Sequence, residues 1–374
     1  MTLIWAMLQA WTGLPAEWSH PVWATVPSET GTVSADPSAA THGVLRLACY
    51  ALIFWIALRA TADRVTAHLF LKLFALFSTL LALFGMYAWM TGNNVILGDQ
   101  ARELSASFVN RNSYATFAAF GLLANLAAYS MQQRRSGGTA KAALRNFLEG
   151  FFSGGWIWAF GMLVCAGALM MTQSRAGGAA GLIGLLSFVA IYRIGDGARS
   201  WLGLAFLALV GVLAIGATAG GGFLDRVLTT SGEDARFAIY PMVVQGIMDR
   251  PLLGHGLGAF EDAFRSYVPL EAATGEWDMA HNSYLENIFE LGMVAAGAFY
   301  IALGLVVYQI WLGLRGRVRS RAVLAFSFAC VVTAAMHAAF DFSLQMPGLA
   351  AFFAFFLGMG YAQSFREGEM SEQN

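Results

Sequence analysis

His281 stands in MAHNSYLENIFELG, directly before a long apolar run. An imidazole, with an unperturbed pKa of about 6.5, is the natural general base at neutral pH. A lone histidine is more often structural, so its neighbours matter: Asn282, Ser283 and Glu286 are close in sequence, and Glu286 and Glu290 share one helix face. Carboxylates inside an apolar run call for a cationic partner, which an arginine could supply. Arg175 lies in the turn Gln173-Ser174-Arg175 between two apolar runs, so its guanidinium must stay near a membrane boundary, either as a functional cation or as an anchor reaching for headgroups. Arg236 and Arg250 bracket an apolar helical pattern; either could face lipid phosphates or a bound ligand, and Arg250 also suits the helix dipole.

Other chemistries find less support. Gly254, Gly256 and Gly258 in PLLGHGLGAF have no strand-helix-strand unit around them, so a tight backbone turn is expected in place of a dinucleotide loop. Metal binding is not expected: HExxH is absent, the remaining histidines are scattered, and the acidic-x-acidic pair Glu276-Trp277-Asp278 reads as solvated loop. Cys49, Cys165 and Cys330 each sit in an apolar run and read as small buried hydrophobes.

The elements that must position these groups are membrane helices. Of 374 residues 57% are hydrophobic and 12% charged, and the mean hydropathy is +0.58, whereas soluble domains carry about a quarter charged residues. A net charge of -1, with no basic run among aromatics, excludes a nucleic-acid binder. Runs of about twenty apolar residues predict about nine spans, at roughly 44–60, 66–90, 113–131, 151–172, 176–192, 200–219, 283–313, 321–340 and 346–363. Lys and Arg concentrate in alternate connections, which places those in the cytoplasm and puts the N-terminal segment, Arg175, residues 220–282 and the turn at Asp341 outside. Five stretches follow: 1–43, an outer N-terminal segment; 44–219, a first helix bundle; 220–282, a folded outer segment; 283–363, the C-terminal membrane helices; and 364–374, a cytoplasmic tail. Residues 220–282 are too long for a plain connector. Phe237, Tyr240, Val243, Val244 and Ile247 predict an amphipathic helix there, lying at the membrane surface.

Several motifs together resemble the O-antigen ligase and polymerase superfamily of bacterial lipid-linked glycan transferases. They are SADPSAATHGVLRL before the first span, SFVNRNSYATF with Arg111 and Asn112, TQSRAGG, and ARFAIYPMVVQGIMDRPLLGHGLGAF followed by AHNSYLENIFELG. The resemblance covers most of the chain. It implies an all-α, GT-C-like polytopic fold in the bacterial inner membrane, with a folded periplasmic segment between the sixth and seventh spans and the active face periplasmic. It further implies that Arg175 and Arg236 bind the diphosphate of a polyprenyl-diphosphate-linked glycan, such as an undecaprenyl diphosphate donor for lipopolysaccharide. His281 then acts on a hydroxyl of a glycan, lipid or protein acceptor. Arg111, Asn112, Asn282 and Glu290 are expected to support them, with no cofactor or metal. Members carry further membrane helices before the region that begins here at Met1, and MTLIWAMLQAW resembles the end of such a helix.

Repeat-unit polymerisation for a surface polysaccharide is an alternative within the same family. A lipid-linked glycan transporter and a non-catalytic membrane subunit are alternatives outside it. A transporter predicts charges near the bilayer midplane and broken helices in paired halves.

Overall fold

A computed structural model describes residues 1–26, 30–93, 103–132, 145, 149–192, 235–269, 277–316 and 320–365. All regular structure among the described residues is helical. We label the helices α1 (Thr2–Gln9), α2 (Pro37–Ala60), α3 (Arg64–Thr91), α4 (Arg111–Gln132), α5 (Trp156–Met171), α6 (Arg175–Tyr192), α7 (Ala235–Asp249), α8 (Phe260–Phe264), α9 (Ser283–Arg315), α10 (Arg321–Ala338) and α11 (Pro347–Ala362). Among the described residues seven helices, α2 to α6, α9 and α10, are long and apolar enough to cross a membrane, the one ending in α5 starting at Phe151; α11 is a shorter apolar helix. The span expected at 200–219 lies outside the described residues. α2 starts at Pro37, before the expected 44, because Asp36 caps it: Oδ1 accepts the N–H groups of Ser38 at 2.8 Å and Ala39 at 3.1 Å.

The chain divides into two compact units, one formed by Met1–Ile53, Ser231–Val306 and Ala338–Ala354, the other by Phe54–Thr230, Val307–His337 and Phe355–Asn374. In the second, α4 is buried along almost its whole length and is tied to α3 by Asn125, whose Nδ2 donates to Ala75 O at 3.2 Å and Thr79 Oγ1 at 3.2 Å. Gly161 of α5 makes room for that amide, since a Cβ there would stand 2.1 Å from Asn125 Oδ1. A small residue facing a polar side chain is how membrane helices pack when lipid supplies no hydrophobic drive.

In the first unit, α7 forms where an amphipathic helix was expected, but its buried stripe is Ile239, Val243 and Ile247, packed in a core with Phe260, Phe264, Ala280 and Phe289. Val244, expected on that stripe, is exposed. The stripe of Ile239, Val243 and Ile247 is thus covered by protein.

α9 is broken at Gly292, whose φ of 76° and ψ of 159° only glycine adopts readily. A break strands backbone groups, and several find partners here. His255 N–H donates to Phe289 O at 3.0 Å, Gly256 N–H to Glu290 O at 2.9 Å and Met293 N–H to Pro251 O at 2.7 Å. From α1, Gln9 Nε2 donates to Glu290 O at 2.9 Å and Trp5 Nε1 to Leu291 O at 3.0 Å. The part after the break, residues 293–315, runs about 34 Å at 1.5 Å per residue, enough to cross the hydrocarbon core unaided. Glu286 and Glu290 belong to the short part before it.

Candidate functional site

His281 occupies the left-handed region, with φ of 52°, a conformation that costs a non-glycine residue about 1–2 kcal/mol. The surrounding frame holds it there. Asn282 caps α9, its Oδ1 accepting the N–H groups of Tyr284 and Leu285 at 3.1 Å each. One turn on, Glu286 folds back, its Oε2 accepting Ala280 N–H at 2.7 Å while Gln345 Nε2 donates to Oε1. From α7, the Tyr240 hydroxyl donates to His281 O at 3.2 Å. The turn between α10 and α11 closes the frame: Ser283 Oγ donates to Asp341 O at 3.1 Å, and the Phe342 ring meets the half-buried imidazole edge-on at 4.8 Å. Backbone strain persists where surroundings over-determine it, and such places cluster at functional sites.

The sequence suggested an arginine partner for the buried carboxylates. The hydrogen bonds they accept come from neutral donors, Ala280 N–H and Gln345 for Glu286, and the N–H groups of Gly258 and of Phe260, the latter at 3.3 Å, for Glu290, while the charge of Arg46 acts on Glu290 in the sense expected. Glu290 therefore supports the loop 254–260.

That loop turns as its glycines require: Gly254, Gly256 and Gly258 all have positive φ, and a Cβ on Gly254 would lie 2.2 Å from Glu290 O. Arg250, assigned from sequence to the helix dipole, has another task. Its guanidinium donates to Gly254 O at 2.9 Å, Ser19 O at 3.1 Å and Trp18 O at 2.6 Å, tying the N-terminal segment to the loop. Burial lowers its pKa below the ordinary arginine value.

Beside it runs a chain of four groups. His255 Nε2 meets Gly246 O at 2.9 Å, a carbonyl that can only accept, so Nε2 carries the proton and Nδ1 accepts from His20 Nε2 at 2.8 Å. His20 Nδ1 in turn accepts Val22 N–H at 3.2 Å. Both rings are therefore neutral. Burial above all pushes His20 down to about 3 and His255 down to about 4, the Arg250 guanidinium acting in the same direction on both.

Arg236 begins α7 one turn before Tyr240; its side chain lies outside the described residues. Arg175, Arg111 and Asn112 belong to the other unit. There Thr172 ends α5, Gln173 takes a φ of 54°, and Ser174 caps α6 through Gly177 N–H at 3.1 Å, leaving Arg175 exposed in the first turn. Arg111 pairs with Glu103, and Asn112 is buried at the start of α4, its N–H on Asn110 Oδ1 at 2.7 Å. Arg111 and Arg175 thus stand at the first turns of α4 and α6. These helices touch where Gly177 meets Ala115, since a Cβ on Gly177 would stand 2.5 Å from that of Ala115.

Tyr240, Phe342 and Gln345 were missed by sequence reasoning. Their contacts span long separations in the chain, and the one available signal was Gln345, a polar residue in a short turn between apolar runs. Among the described residues no group of His, Cys, Asp or Glu suits a metal ion; Glu276 of the acidic pair lies outside them.

Residues 160–300 match the family model described as O-Antigen ligase. No curated protein matches the chain.

Proposed function

We propose that this chain, whose residues 160–300 match the family model described as O-Antigen ligase, belongs to the O-antigen ligase and polymerase superfamily and is a multi-pass glycosyltransferase that moves a glycan from a polyprenyl diphosphate to an acceptor hydroxyl, of the ligase type. The observation carrying this reading is that the matched stretch contains Arg175, Arg236 and His281 together. His281 takes the proton of the attacking hydroxyl, whose oxygen forms a bond to the anomeric carbon of the donor sugar. The bond from that carbon to the diphosphate oxygen breaks, and the polyprenyl diphosphate departs with the electron pair. Arg175 and Arg236 bind the diphosphate, their planar guanidinium groups matching phosphate oxygens bidentately and offsetting the charge that builds on the leaving group. General-base help of this kind is worth roughly a hundred- to ten-thousandfold. Arg111, Asn112, Asn282 and Glu290 hold the backbone and helix termini around these groups. The Lys and Arg asymmetry of the connections supports chemistry on the outer face, which in a bacterial glycan transferase of this family is the periplasmic face of the inner membrane.

A broken helix is also what a transporter would have. The break in α9 leaves the part after it long enough to span alone, which supports placement of the break at the membrane boundary and not at the midplane. The test is a His281→Ala variant, expressed at normal level in a strain deleted for the gene. Loss of glycan transfer with accumulation of lipid-linked donor is expected. Unchanged glycan length and attachment would overturn the catalytic reading.

A further inference from the structure

Gln345 ends the short turn Ser343–Gln345 between α10 and α11. In the structure Glu286 Oε2 accepts from Ala280 N–H and Oε1 from Gln345 Nε2, an arrangement that turns the NH2 group of the amide toward the carboxyl and its Oε1 away. That oxygen is buried and has no hydrogen-bond partner among the described residues. A buried acceptor without a donor in a native fold calls for an explanation. Its location suggests one. Phe342, on the same turn, packs on the His281 ring, and Glu286, which orients Gln345, holds the peptide next to His281.

We propose that Gln345 Oε1 accepts a hydrogen bond from a hydroxyl of the acceptor glycan beside the one His281 deprotonates, with Glu286 as the positioning residue that aims it. The inference rests on the reading of His281 as the base for an acceptor hydroxyl, and it makes the turn between α10 and α11 part of the acceptor site. A carbonyl oxygen recognises a donated O–H and nothing else about the sugar, so an acceptor lacking or carrying a blocked hydroxyl at that place leaves the oxygen unpaired.

A strain deleted for the gene supplies both probes, the lipid-linked donor and the unglycosylated acceptor fraction, which are extracted and titrated separately against the purified full chain in detergent. With Gln345→Leu, the half-saturating concentration of the acceptor fraction should rise about tenfold while that of the donor stays put. Glu286→Gln keeps an acceptor for Ala280 N–H but lets the facing amides pair in either sense, so a smaller acceptor effect is expected. If the Leu variant does not fold, Gln345→Asn supplies the same readout, because its amide is one methylene too short to reach both partners. Equal shifts for donor and acceptor, or an acceptor value within twofold of the unsubstituted chain, would overturn the proposal. If His281→Ala abolishes transfer while Gln345→Leu leaves acceptor saturation unchanged, this inference alone fails; if His281→Ala retains transfer, the reading of the site fails with it.

Discussion

The geometry of His281 depends on a hydroxyl that sequence reading assigned to an apolar stripe. Tyr240 donates to the His281 carbonyl at 3.2 Å and so holds a left-handed residue in place from a separate helix. Tyr240→Phe removes that bond and little else. A net hydrogen bond is worth about 1 kcal/mol, so kcat should fall roughly fivefold with donor KM unchanged, measured as initial transfer rates by purified protein. Arginine identity is a second residue-scale matter. Arg175→Lys and Arg236→Lys keep the charge but lose the bidentate fork, and transfer should drop sharply in both; full activity with purified lipid-linked donor would count against diphosphate binding. The His20–His255 pair makes a third prediction, on stability. Both pKa values are lowered in the folded chain, to about 3 and about 4, against about 6.5 when unfolded. Between these limits the unfolded chain binds more protons, so the stability due to the neutral pair is complete above about pH 6.5 and is lost as pH falls toward 4. The melting midpoint in detergent should fall over that window, and less steeply in His20→Gln.

At the scale of elements, the break in α9 organises the first unit. Gly292 has a backbone conformation closed to other residues, and a Cβ there would stand 2.4 Å from Leu252 O, a backbone atom that cannot swing aside. Gly292→Ala should therefore cost several kcal/mol, about 1–3 from backbone strain alone, and appear as a large loss of melting temperature. An unchanged melting temperature would mean that α9 is continuous in the folded protein. Little of this break was legible beforehand. Leu291-Gly292-Met293 sits in an apolar run where glycine commonly serves helix packing, and its partners come from residues 5, 9 and 251–256, remote in sequence. Local patterns were more readable. The glycine turn at 254–258 and the helix at 235–249 both form where periodicity and punctuation placed them, whereas the buried face of that helix differed, because Phe260, Phe264 and Phe289 cover it from one side. The further task of Arg250 was hidden for the same reason: its carbonyl partners at Trp18 and Ser19 lie more than two hundred positions away.

For the whole molecule, the property that composition made plainest is residence in lipid. Ile301, Leu305, Tyr308 and Leu312 on α9 are exposed at helical spacing, and Leu305, at 64% exposure, lies near the middle of the part after the break. In water such a stripe would be an aggregation surface, but against acyl chains it needs no cover. A charge at the centre of a lipid-facing helix costs about 2.5–3.5 kcal/mol on insertion scales, and leucine contributes slightly in the other direction. Leu305→Asp should therefore cut the amount of chain that resists alkaline extraction from membranes. Ala322→Asp places the same charge in the buried first turn of α10, and it should lower the melting temperature of whatever inserts. The two variants separate lipid contact from protein packing: the first acts on insertion, the second on the folded bundle. Membrane levels of Leu305→Asp equal to those of the unsubstituted chain would show that this face of α9 meets water or another protein in place of lipid.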